Sequence, residues 1–391
     1  MIPWIVAITI YICAENLGVA ALQVWLLEQR RPCPKGLAWL IFGWAALMSG
    51  LAILQACEPE SWKAFMYHWL YFPMAVEMVW NLLMLVLLPA MVLIALCVRL
   101  FSPITVSQPQ TQAGLSRRKF LYLVGYGAVP AVAIGMGVHG ALTREDLRLR
   151  EFNLPLAGLP PELEGFTIAH VSDLHSGLFV GPARLKIISD ATNDLKADLV
   201  VVTGDLINRE MTEFPPALAA IQRLESRYGL YLCEGNHDVI PGDGLVVAAC
   251  AQNGLKMLFD SCVTLPIRGR RLVIAGLPWA RPGYPGQDRE IASLFPVREE
   301  GDVRILLAHH PHVFDVTDSA DLLLSGHTHG GQIMLNDHIG LGLLRFKYCS
   351  GLFQRGNTTM IVNNGCGDWF PCRIGAPAEI GLLRLTKGQI V

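Results

Sequence analysis

LLLSGHTHG (residues 322–330) is a short apolar run that passes into a glycine, two histidines one residue apart and a further glycine. An apolar run of this length bounded by turn residues reads as a buried strand. The same pattern recurs along the chain. It is seen in FTIAHVSDLH (166–175), LVVVTGD (199–205), GLYLCEGNHD (229–238), RLVIAGLPW (271–279) and VRILLAHHP (303–311). Between the first of these runs the apolar spacing becomes helical. PARLKIISDATNDLKA (182–197) opens with a proline allowed in a first turn, and FPPALAAIQRLESRYG (214–229) closes on glycine. Strands alternating with helices predict an α/β fold, and such sheets bind ligands beyond the carboxyl ends of their strands.

The residues gathered at those ends are Asp173 and His175, Asp205, Asn236 with His237 and Asp238, His309, and His327 with His329. Carboxylate, amide oxygen and imidazole together form a donor set for first-row divalent or trivalent metals. In an extended segment alternate side chains share a side, so Asp-x-His and His-x-His can each offer two ligands at once. Gly326, Gly330 and Gly331 let the backbone turn without crowding the site. Each piece is weak alone; five in order, each closing an apolar strand, are not.

In this order the motifs resemble the calcineurin-like metallophosphoesterases. The family pattern reads here as SDLH, TGD, GNHD, LAHHP and GHTH, over about 160–391. The strings LLAHHPHVF, LSGHTHGGQI and APAEIGLLRL are similar to a bacterial membrane-anchored branch, some of whose relatives act on nucleotide-linked lipid precursors. The resemblance implies a four-layer αββα sandwich holding two metal ions, with manganese, iron or zinc expected. Asp173, His175 and His329 would hold one ion, Asn236, His309 and His327 the other, and Asp205 would bridge them. The implied reaction is hydrolysis of a phosphate monoester, diester or pyrophosphate, lipid- or nucleotide-linked esters included, by a metal-bound hydroxide. His237 would protonate the leaving oxygen and Asp238 would orient its ring. Protein phosphatases of the superfamily carry Gly-Asp-x-x-Asp-Arg-Gly where this chain has GDLINRE (204–210), which disfavours a phosphoprotein substrate. The alternative is a non-catalytic metal-binding scaffold or sensor of the cell envelope.

The first 142 residues read differently. Hydrophobic residues make up 52% of the 391 and charged ones only 16%, and the excess lies in residues 1–142. Four stretches (3–27, 36–56, 75–98 and 120–142) each reach the roughly 20 apolar residues that a membrane-crossing helix needs. The expectation is therefore a transmembrane helical bundle of about four spans (1–142) followed by a catalytic domain (143–391). Arg30, Arg31 and Lys35, and Arg99, Arg117, Arg118 and Lys119, lie in two loops that the positive-inside rule puts in the cytoplasm. That leaves the catalytic domain facing the periplasm or the cell exterior. SRRKFLYLVGYG (116–127) resembles a twin-arginine leader, or serves as a last span. AFMYHWLYFPM (64–74) suits an interface, 100–115 a polar linker. Glu15, Asn16, Glu77 and Asn81 would hold helices together or contact a substrate.

The formal charge of −2 gives no reason to expect a nucleic-acid partner. Cys366 and Cys372 bracket a tight loop and could pair in an oxidising compartment, while the absence of CxxC argues against a structural zinc site.

Overall fold

The computed structural model describes residues 129–279, 287–336 and 339–388, together with 35–57 and scattered positions between 9 and 83. By contacts the chain divides into two units, Met1–Leu142 and Thr143–Val391.

Two mixed sheets form the second unit. Among the described residues its strands are β1 (Leu147–Leu156), β2 (Thr167–Val171), β3 (Leu199–Thr203), β4 (Leu230–Cys233), β5 (Ser261–Ile267), β6 (Arg270–Gly276), β7 (Val303–Leu307), β8 (Leu322–Ser325), β9 (Gly351–Arg355), β10 (Thr358–Val362) and β11 (Ala378–Lys387). The first sheet runs β1-β11-β2-β3-β4 and the second β5-β6-β7-β8-β10-β9. Within them β2, β3 and β4 are mutually parallel, as are β6, β7 and β8, so their carboxyl ends lie on one rim of each sheet.

Strand alternation explains the layering. Leu199 and Val201 of β3, Leu272 and Ile274 of β6, and Leu322 and Leu324 of β8 share one core between the sheets. Their intervening neighbours point outward. Val200 joins Ala169 and Ala197 on the outer face of the first sheet. Val273, Ala275 and Leu323 pack with Ile291, Phe295 and Phe314 on the outer face of the second. Both strand faces are thus buried, which is why the runs read as continuous rather than alternating apolar stretches. Helices Pro182–Asp194 and Phe214–Ile221 follow β2 and β3; each starts with proline in its first turn. The second is shorter than its sequence pattern suggested, ending at Ile221 rather than near Gly229. The four-layer α/β expectation for this unit agrees with the mixed sheets observed.

The expected N-terminal transmembrane bundle is corrected by the structure: among the described residues no helix is long and apolar enough to cross a membrane. Helix Val129–Thr143 has 15 residues, about 22 Å of rise, against a hydrocarbon core of about 30 Å. Helix Lys35–Cys57 opens on a lysine, and Gly43, Ser49, Gly50 and Gln55 interrupt its apolar run. Apolar length counted along a sequence does not fix where a helix begins and ends. The inside–outside orientation drawn from the basic loops presupposes those spans. The twin-arginine-like segment 116–127, the linker 100–115, most of 64–74 and Glu15 lie outside the described residues. Two polar side-chain pairs are described within this unit. Trp80 Nε1 donates to Asn16 Oδ1 (2.8 Å), and Asn81 Nδ2 donates to Glu77.

Candidate metal centre

The strand-end residues converge. His329 Nε2 lies 3.3 Å from Asp173 Oδ1 and 3.0 Å from His175 Nε2. On the other side Asn236 Oδ1 faces His327 Nδ1 at 2.8 Å and His309 Nε2 at 3.2 Å. Asp205 stands between the two groups through one oxygen: its Oδ2 is 3.5 Å from His175 Nε2 and 3.2 Å from His309 Nε2. Its Oδ1 is held separately by the backbone N–H of His237, at 2.8 Å. Donor atoms of Asp173, His175 and His329 lie within 4.8 Å of one another, as do those of Asp205, His309 and His327. All seven residues proposed as ligands are therefore brought together, from both sheets.

The way each side chain is aimed differs from the sequence expectation. Asp173, His175, Asp205, His327 and His329 all have positive φ, between 44° and 71°. Non-glycine residues seldom adopt that region, and such strain gathers at functional sites. The two-residue spacing in SDLH and GHTH thus works through left-handed turns rather than through extended alternation. His327 (φ 71°), Thr328 (φ −84°) and His329 (φ 50°) form such a turn, which sends one imidazole to each donor group. The glycines are needed for close approach. A Cβ on Gly326 would meet Ser172 Oγ at 1.9 Å, and one on Gly235 would meet Asp205 at 2.2 Å.

The charges are consistent with a cation site. Burial opposes ionisation of Asp173, but the His329 and His309 imidazoles beside it hold its carboxyl well below the usual range. Burial opposes ionisation of Asp205 too, and there His309 and His237 outweigh it. Burial lowers His309 as well, yet Asp205 and Asp173 push it up to about 10. His175 and His327 go the other way. Burial, reinforced by the imidazoles of His237 and His309 respectively, pushes both well below the usual imidazole range. Two buried carboxylates thus face a group of imidazole nitrogens, a donor set that fits a pair of divalent cations. Thr203 O accepts from His309 Nδ1 (2.6 Å), fixing that ring with Nε2 toward the site.

His237 is half-buried, its ring 4.6 Å from that of His175. Its Nδ1 donates to the carbonyl of Asn208 (2.5 Å). Asp238, expected to orient that ring, is engaged elsewhere. Its carboxylate accepts backbone N–H groups from Gly235 (2.9 Å), Asp205 (2.9 Å) and Leu206 (2.8 Å). Burial and the charge of Asp205 raise its pKa to about 7, against the pull of those donors.

Some residues at the site were not read from the sequence. Arg373, fully buried, places Nη2 3.1 Å from His329 Nδ1 and donates from it to Gly367 O (2.6 Å), and its Nε pairs with Asp368 (2.5 Å). A lone arginine in the Cys/Gly/Pro-rich run NGCGDWFPCRIG was its available signal. Trp279 lies beyond the end of β6, its ring 5.0 Å from His327 and 5.7 Å from His309. Its position at a strand end, like those of the ligands, could have marked it. Cys366 and Cys372 are both buried and unbonded to each other, and Cys366 Sγ donates to Glu379 O (2.9 Å).

The calcineurin-like phosphoesterase family profile matches residues 166–331, which contain every proposed ligand. The chain is 30% identical over 272 residues to an uncharacterized metallophosphoesterase of Helicobacter pylori (strain ATCC 700392 / 26695), covering 68% of this chain and 69% of that protein. It is also 30% identical over 287 residues to the uncharacterized metallophosphoesterase YkuE of Bacillus subtilis (strain 168), covering 70% and 98%. With the putative metallophosphoesterase F40B5.2 of Caenorhabditis elegans it shares 28% identity over 261 residues, a match spanning about half of that protein (53%). On this similarity and this fold the chain belongs to the calcineurin-like phosphoesterases, metal-dependent hydrolases of phosphoric esters.

Proposed function

We propose that this chain hydrolyses a phosphate monoester, diester or pyrophosphate at the centre built around Asp205. The observation that carries the reading is the position of Asp205 Oδ2 between two donor groups, with the His237 ring beside them. Asp173, His175 and His329 would hold one cation and Asn236, His309 and His327 the other, with Asp205 common to both. When bound, the cation pair supplies Lewis acidity and an activated water nucleophile. His237 donates through Nδ1 to Asn208 O, so the ring with a second proton on Nε2 can give that proton to the leaving oxygen as its bond to phosphorus breaks, and it is left neutral with Nδ1–H in place. Buried Arg373 packs behind the ring of His329, on the side away from Asp173.

For the ester group we favour a lipid-linked substrate. The segment after His329 carries exposed Leu335, Ile339 and Leu343 and ends at Phe346, whose ring lies 5.4 Å from that of His327. Exposed apolar side chains on a segment that starts and ends at the centre would suit an acyl-bearing ligand if they gather into one patch.

The test is turnover of p-nitrophenyl phosphate and bis-p-nitrophenyl phosphate by the manganese-loaded full chain. His237→Ala is expected to keep two metals per chain and lose about 100-fold or more in kcat, the usual contribution of a positioned acid. Asp205→Asn is expected to lose metal as well as rate. A His237→Ala variant as fast as the parent would remove the acid from this scheme.

A further inference from the structure

His237 is oriented by a carbonyl rather than by the neighbouring carboxylate, and that carbonyl is itself held in place. Asn208 lies in the loop leaving β3, and its N–H donates to Ser176 O (2.9 Å). Three consecutive backbone N–H groups, of Asn208 (3.0 Å), Arg209 (2.6 Å) and Glu210 (3.0 Å), converge on a single oxygen, Glu213 Oε2. Successive N–H groups turned toward one point form an anion-binding concavity, and a carboxylate there makes charge-assisted bonds. The backbone of Glu213 is also tied to the loop that bears His175: Ser176 Oγ donates to Glu213 O (2.7 Å). The fit is close, since a Cβ on Gly177 would lie 2.6 Å from Glu213 Oε1.

We infer that Glu213 is a positioning residue for His237. Its carboxylate fixes the 208–210 turn that presents the Asn208 carbonyl to Nδ1, and so aims Nε2 at the leaving group. This rests on the proposed role of His237 as the acid. Glu213 also closes a capping box with Glu210 around the short helix Met211–Glu213. A cap alone would be purely structural, and the two roles differ in what they do to different leaving groups.

The experiment measures kcat and KM of the manganese-loaded full chain on phenyl and p-nitrophenyl phosphates, or on the matching diesters. Phenolate is the more basic leaving group and needs the proton more. His237→Ala is expected to slow the phenyl ester more than the p-nitrophenyl ester. Glu213→Gln is expected to show the same preference at about a tenth of the loss, with metal content unchanged. Equal losses on both esters, or no loss, in Glu213→Gln would overturn the inference while leaving His237 as the acid. A His237→Ala variant that does not discriminate would remove the acid reading itself, and this inference with it. Should Glu213→Gln not fold, Glu213→Asp, with its carboxylate drawn back by one methylene, is read by the same two criteria.

Discussion

At the scale of single residues, the centre separates groups that face the donor cluster from groups that hold the backbone behind it. Asp238 belongs to the second kind. Its two oxygens take the N–H groups of Gly235, Asp205 and Leu206, so it joins the turn after β4 to the turn after β3. One of those N–H groups belongs to Asp205, the carboxylate common to both donor groups. Removing the acceptor leaves three buried donors unpaired, each costing about 1–3 kcal/mol. Asp238→Ala is therefore expected to cost about 3 kcal/mol or more in urea unfolding of the full chain, well beyond an ordinary surface change. A shift below about 0.5 kcal/mol, the range of surface substitutions, would show that the three bonds are dispensable. Arg373 is the counterpart behind the other donor group: it spans the carbonyls of Asn364, Gly365, Gly367 and Ala376 as well as His329.

At the scale of elements, strands were legible and turns were not. β2, β3, β4, β6, β7 and β8 are largely buried on both faces, so each shows as a mainly apolar run, and the polar residues that follow it mark the rim. β1 and β11 pair across more than two hundred residues, Leu147 with Ala378 through Leu156 with Lys387, and no local pattern announces that pairing. The left-handed turns at Asp173, His175, Asp205, His327 and His329 were equally hidden, because even Asp and His, which favour positive φ more than most side chains, adopt it too seldom to announce a turn. The orienting carbonyl of Asn208 was hidden for a related reason: any residue has one. β2 also carries a pH dependence. His170 is fully buried, with Nε2 2.9 Å from Thr203 Oγ1, and burial holds its pKa down to about 3 despite the nearby Asp173. In the unfolded chain it takes up a proton near pH 6.5. Between those values the unfolded state binds more protons, so this stabilisation is present above about pH 6.5 and is lost as the pH falls toward 3. The slope is about 1.4 kcal/mol per pH unit. His170→Gln is expected to flatten the fall in stability of the metal-free chain between pH 6.5 and 4.5 by about that slope. Parallel curves for the two proteins would assign the acid sensitivity to other groups.

At the scale of the whole molecule, the decisive feature is that neither sheet holds a complete set of donors. The first supplies Asp173, His175, Asp205 and Asn236; the second supplies His309, His327 and His329. Without cations the contact between the two rims depends on hydrogen bonds and on the attraction of His309 for Asp205 and Asp173. A cation in each donor group would replace these with bonds that cross from one sheet to the other, and unfolding would then have to break them. Ligands that bind only the folded state stabilise it by mass action, about 2.7 kcal/mol for one site at a concentration 100-fold above Kd. Adding manganese to chelator-treated full chain should therefore raise the unfolding midpoint continuously with concentration, rather than in one step at trace metal. Asp205→Asn, which weakens both sites at once, should lose most of that dependence, whereas His329→Ala should keep the part owed to Asn236, His309 and His327. A midpoint indifferent to manganese in the unsubstituted chain would mean that the seven donors converge without binding cations, and the proposed hydrolysis would lose its basis.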